Sequence, residues 1–132
     1  MDLSLECVLY HSRMAADTDI ACVADIVKTA RSFNREAGIT GMLVFDGQRF
    51  LQYIEGPQSV LQALSERIAQ DTRHTHFTIT LRGAVVGGRL FGNWSMAYVL
   101  VDDSEPLDAL DQLDGQQVLS KLQALIPTLD IA

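Results

Sequence analysis

Cysteine is scarce in this chain of 132 residues, with Cys7 in a strand-like run and Cys22 in a helix-like one. Two such thiols fit neither a disulfide framework nor a four-ligand zinc site, so both read as small buried hydrophobes. Long apolar runs are also lacking. None approaches the ~20 residues of a membrane-spanning helix, and the opening MDLSLECVLY has no basic region ahead of an apolar one, as a signal peptide needs. A cytoplasmic protein without a membrane partner is the expectation. Positive charge is short as well: the net charge is −7, and a general nucleic-acid binder gathers positive charge to hold phosphates. The shortage is local. Residues 1–101 carry 10 acids and 9 bases, whereas residues 102–132 carry 7 acids and only Lys121.

What remains has the composition of an ordinary globular protein, 48% hydrophobic and 20% charged. A chain of this length supports one real core, burying roughly two thirds of its unfolded surface. Residues 3–10 read as a first strand ending near Tyr10, followed by a polar turn. Asp17 or Thr18 can cap a helix in which Ile20, Val23, Val27, Ala30 and Asn34 recur at spacings of three and four. That helix stops near Gly38. Residues 39–45 and 50–56 form a strand pair joined by Asp46-Gly47, a strong hairpin-turn signal. Pro57 suits the first turn of a second helix, whose buried face is Val60, Leu61, Leu64 and Ile68. Residues 77–82 and 93–101 complete the strands, and GAVVGGR between them reads as a hairpin connection.

The order βαββαββ predicts an α+β, ferredoxin-like fold: a five-stranded mixed sheet, mostly antiparallel, with two helices on one face. Two C-terminal helical segments follow, one opened by Ser104 and Pro106, the other lying beyond Gly115 with Val118, Leu122, Leu125 and Leu129 on one side. Their natural places are the sheet's bare second face or a partner's surface.

Polar residues at interior positions carry the functional information. Asn34 ends the apolar stripe of the first helix, and its amide needs partners there. Gln52 shares a strand face with Phe50 and Ile54 while Leu51 and Tyr53 cover the other, the pattern of a central strand buried on both sides. An unpaired amide there costs about 1–3 kcal/mol. Bonding to nearby backbone is one solution and a bound polar group another. Arg67 and Asp71 lie a turn apart on the second helix, with Arg73 and His74 at its end. They make either a solvated ion pair or, with Asn34, the rim of a cleft for a planar polar ligand with an anionic tail. His74 and His76 lack carboxylate or cysteine companions, so no metal site is expected. No nucleophile has a recognisable base.

In order along the chain, LYHS at 9–12, N-x-x-x-GITG from Asn34 to Gly41, RFLQYIEGP at 49–57, RIAQDTRH at 67–74 and RLFGNWSM at 89–96 together resemble the BLUF family of flavin photoreceptors. The resemblance implies flavin held between the two helices, FAD with FMN or riboflavin as alternatives. It makes Tyr10 the redox-active tyrosine, Gln52 the switching glutamine, and Trp94 and Met96 the relay of the signal. It places Asn34, Arg67, Asp71, Arg73, His74, Ile26 and Ser12 around the cofactor. Phe33 departs from the polar or histidine side chain common at its position, and is expected to pack on the flavin ring instead. The implied organisation is a flavin-binding domain over residues 1–101 and an acidic helical extension over 102–132. With no room in that extension for a catalytic output domain, the expected protein is not an enzyme. It signals to a separate protein, or through a homodimer or higher homo-oligomer. The rival readings are a cofactor-free, acylphosphatase-like enzyme or small-ligand binder, with Arg13 as its anion-binding arginine, and a dimerisation module.

Overall fold

Strand-forming runs rich in Leu, Val, Ile and aromatics alternate with two amphipathic helices, and the computed structural model shows how they pair. It describes residues 5–16, 18, 21–85, 88, 89, 97–100 and 115–125. The elements are β1 (Leu5–Met14), α1 (Cys22–Ala37), β2 (Thr40–Phe45), β3 (Arg49–Pro57), α2 (Gln58–Ala69), β4 (His74–Ala84), β5 (Ala97–Leu100) and α3 (Gly115–Leu125). The sheet order is β4-β1-β3-β2-β5. All neighbours are antiparallel except β2 and β5, which are parallel. This is the α+β, ferredoxin-like arrangement, with a fifth strand added beside β2.

Helices α1 and α2 pack on one face, where Val23, Val27 and Leu61 join Val8, Tyr10, Leu43, Phe45, Phe50 and Ile54 in a single core. β3 is the central strand. Its residues Phe50 to Gly56 are all buried, which accounts for the absence of a polar face in FLQYIEG. At the β2–β3 turn the Asp46 carboxylate accepts the backbone N–H groups of Gln48 (3.0 Å) and Arg49 (2.7 Å). It also pairs with the Arg49 guanidinium at 2.9 Å, so the turn and its flanking register are held by one side chain.

Several boundaries differ from the sequence expectation. β1 continues past Tyr10 to Met14, because β3 and β4 flank it to Arg13 and Met14 respectively. Ser12 is buried there while His11 and Arg13 are more exposed. α1 begins at Cys22 behind Ala21, which makes no side-chain cap bond; Thr18 instead donates its backbone N–H to the Ala15 carbonyl. GAVVGGR is not a hairpin connection: β4 and β5 lie at opposite edges of the sheet. Glycines signal a change of direction but not which strand is paired next, and β5 finds its partner in the edge of β2.

The second face of the sheet receives α3. Gly115 abuts β4 so closely that a methyl group there would lie 2.2 Å from the Thr80 carbonyl oxygen and 2.7 Å from Leu81 Cβ. Leu81 stands opposite Leu9, and Val118 and Leu119 are buried. Side chains at Leu122 and Leu125, all of Leu129, and the segment at Ser104 and Pro106 lie outside the described residues. The Gly115→Ala variant should lose about 1–3 kcal/mol of stability, the usual cost of overpacking. Urea unfolding measures it, and an unchanged midpoint would show that α3 does not need this close approach. Among the described residues no helix is long and apolar enough to cross a membrane.

A candidate ligand cleft with a tyrosine–glutamine pair at its floor

Two helices leaning on one sheet face leave a gap wherever their facing side chains are small or polar. Here the gap is an open cleft with about 930 Å³ of free space, its mouth included, lined by apolar and aromatic side chains with a few convergent polar groups, as small-molecule and cofactor sites are. Tyr10 of β1, Leu43 of β2, and Phe50 and Gln52 of β3 form the floor. From α1 come Ile26, Phe33 and Asn34; from α2 and the turn after it come Arg67, Asp71 and Arg73, with His74 at the start of β4.

Tyr10 and Gln52 are directly opposite each other in the β1–β3 ladder, and the Tyr10 hydroxyl donates to Gln52 Oε1. Both are buried. The buried amide singled out by strand alternation therefore has a phenol as its partner. Burial, reinforced by the Asp71 carboxylate, pushes the Tyr10 phenol far above its ordinary range, so the group is held as a neutral donor. Tyr53 and Tyr98 are also shifted upward by burial. For an acid whose pKa is raised by folding, the stabilisation is complete below the unfolded value of about 10 and is lost as pH climbs toward the folded value. The native protein should therefore show almost no tyrosinate absorbance at pH ~10, whereas the urea-unfolded chain is half ionised there. Half-ionisation of the native protein at that pH would contradict the burial.

A β-bulge shapes the far side of Tyr10. Between the pairs His11–Thr78 and Arg13–Thr75 the ladder slips, leaving His76 and Phe77 opposite Ser12, with His76 at φ 56°. Such a conformation is uncommon for a residue other than glycine. His74 and Phe77, which would face opposite sides of a regular strand, are thereby brought together at 5.8 Å between ring centroids. Phe77 packs against Tyr10 at 4.7 Å and His74 meets it edge-on at 6.2 Å. Sequence alternation gave no sign of Phe77, because a bulge breaks the period on which that reasoning rests.

His74 is held at both nitrogens, by Ser12 Oγ at 2.8 Å from Nδ1 and by the Ile68 carbonyl at 2.5 Å from Nε2. A carbonyl can only accept, so Nε2 carries hydrogen. Ser12 is buried and does not line the cleft; its contact is with His74. Asn34 is buried at the cleft wall. The acid Asp71 pairs with Arg73 at 2.6 Å, not with Arg67, and this guanidinium holds its carboxyl below the usual carboxylate range. Arg67 instead lies over the Phe33 ring, 5.2 Å from its centroid. Phe33 thus lines the cleft and carries a cation on its ring. Trp94 and Met96 lie outside the described residues. Arg13 is exposed and sits within β1, not in a loop cradling an anion.

Fold and site together define a small α+β domain with a cleft between its two helices, above a buried phenol–amide pair. The chain belongs to the BLUF family, sensors of blue-light using FAD, whose model matches residues 5–97. It is 31% identical over 70 residues to the blue light- and temperature-regulated antirepressor BluF of Escherichia coli (strain K12), covering 53% of this chain and 17% of that protein. It is 34% identical over 74 residues to the photoactivated adenylate cyclase subunit beta of Euglena gracilis, covering 56% of this chain and 8% of that one. The chain thus spans under a fifth of the length of either relative. Among solved structures, the BLUF protein BlrB in its dark state superposes with a TM-score of 0.80 at 30% identity, over 93% of this chain and 95% of that one. The photo-activated state of BlsA gives 0.79 at 26% identity, over 92% and 94%. Residues 5–97 thus form a sensor domain of this family.

Proposed function

We propose that light is converted into a signal by the Tyr10–Gln52 pair and passed to a separate protein. The observation that carries this reading is the buried hydrogen bond from the Tyr10 hydroxyl to Gln52 Oε1 at the floor of the cleft. The residues present suit a flavin. Ile26, Leu43 and Phe33 offer apolar surface to a flat ring system, Asn34 and Gln52 bring amides to its polar edge, and Arg67 and Arg73 put positive charge at the rim for a phosphate-bearing tail. His74, engaged at both nitrogens, contributes ring surface rather than a free hydrogen bond. FAD is the proposed cofactor because the family's description names it; Arg67 at the rim favours a phosphate-bearing tail over the uncharged one of riboflavin, while Arg73 is already paired with Asp71.

Bound flavin supplies the absorption of blue light and, once excited, a strong oxidant. Tyr10 is placed to give up an electron, and its hydroxyl proton can travel along the existing bond to Gln52 and back. Phe77 and the edge of His74 close the other sides of the ring, so the proton's route is through the amide. Gln52 has a donor end and an acceptor end. Rotation or tautomerisation exchanges what it presents to Tyr10, to the neighbouring strand and to the ligand edge, with every covalent bond of the cofactor restored at the end. Trp94 and Met96 are proposed to follow Gln52, and the acidic extension beyond residue 101 to contact the downstream protein or a second copy of this chain.

Loading the purified protein with FAD, FMN and riboflavin in turn tests the binding half of this reading. Uptake of all three, tighter for the two phosphorylated forms and falling with added salt, is expected. A protein that takes up no flavin would overturn it.

A further inference from the structure

Glu55 is fully buried at 0% exposure, a costly position for a carboxylate, and the cleft makes no use of it. It lies on β3 three residues after Gln52, on the opposite face of the sheet with Tyr53. Tyr53 donates its hydroxyl to Glu55 Oε1 at 3.2 Å, and Thr40 donates to Oε2 at 3.1 Å. Thr40 in turn accepts from Arg89 Nη1 at 2.9 Å, and the same nitrogen donates to the Glu55 backbone carbonyl at 3.2 Å. The direction of each bond is set: Arg89 can only donate, so the Thr40 proton points to the carboxylate. Arg89 stands in the chain between β4 and β5, and Thr40 is two residues from Met42, the partner of Ala97 where β5 begins.

We infer that Arg89 is a positioning residue for the light response: through Thr40 and Glu55 it clasps the chain entering β5 to the strand that carries Gln52. The inference rests on the proposed role of Gln52. A rearranged amide in a densely packed interior cannot be absorbed locally, so β3 shifts, and Tyr53 and Glu55 move with it on the other face. The charge-assisted clasp converts that movement into displacement of β5. A second route exists along the backbone ladder, since Gln52 pairs with Leu43 and Leu43 with Tyr98. The experiment must separate the two.

The test is hydrogen–deuterium exchange of the full-length, flavin-loaded protein in darkness and under blue light, read at residues 97–100 and 115–125 beside the absorption change. Wild type should show both. Arg89→Met and Thr40→Val should keep the absorption change while the light-dependent difference in exchange falls by about threefold or more. Arg89→Lys should restore most of it, because both bonds come from one nitrogen that an ammonium can replace. A wild-type exchange difference retained in either disrupting variant overturns the clasp in favour of the ladder. So does loss of the absorption change in those variants, since Arg89 would then shape the cleft, and so does the lack of any exchange difference in photoactive wild type. Failure of wild type to show the absorption change would instead sink the Tyr10–Gln52 reading itself.

Discussion

Gln52→Leu should bind flavin and show no light-induced displacement of the flavin absorption. Leucine fills a similar volume in the buried centre of β3, so the floor of the cleft keeps its shape. What is lost is the acceptor of the Tyr10 hydroxyl and the only group on that strand face able to exchange donor for acceptor. The phenol left without its partner costs about 1–3 kcal/mol, which lowers stability but leaves most molecules folded at the usual 5–15 kcal/mol of a domain this size. Absorption spectra before and after blue light decide it: a displacement of wild-type size would remove Gln52 from the mechanism. Gln52→Glu should also fail, since a buried carboxylate cannot offer a donor when ionised.

Tyr10→Phe should likewise fold, bind flavin and fail to complete the photocycle. The hydroxyl contributes about 1 kcal/mol through its bond to Gln52, while the ring and its contacts with Phe77 and His74 persist. Phenylalanine can supply neither a readily removed electron nor a proton. Excited flavin should therefore decay without the amide being exchanged, and its emission should be longer-lived than in wild type. Time-resolved fluorescence and the light-minus-dark spectrum measure the two halves of this expectation, and a normal photocycle in the variant would contradict it.

Much of this site could be read from residue pattern, and the reasons for the rest are specific. Gln52 declared itself because a two-sided buried strand has no cheap place for an amide, and Asn34 because it ends an apolar helical stripe. Both line the cleft. Tyr10 was different: an aromatic at a strand position looks like core, and only the resemblance of LYHS to a known family distinguished it. Phe77 escaped notice because the bulge at His76 puts it on a face that regular alternation assigns elsewhere. The Asp71–Arg73 pair replaced the expected Arg67–Asp71 one because the turn after α2 brings Arg73 back onto the acid, a geometry that helical spacing does not describe. Among the strands, β1 to β4 followed from periodicity to within a few residues. The parallel place of β5 did not, since the choice between two sheet edges depends on pairing across the whole sheet. Glu55 was visible only as part of a family string, and its bonds to Thr40 and Tyr53 emerged from the register of β2 against β3.

The central claim is that light rearranges hydrogen bonds around an otherwise unchanged flavin. The light-minus-dark absorption spectrum of the flavin-loaded wild-type protein tests it most directly. The account predicts a flavin band displaced in wavelength with its intensity kept, returning fully in darkness. A bleached band, or a spectrum that blue light leaves unchanged, would contradict it.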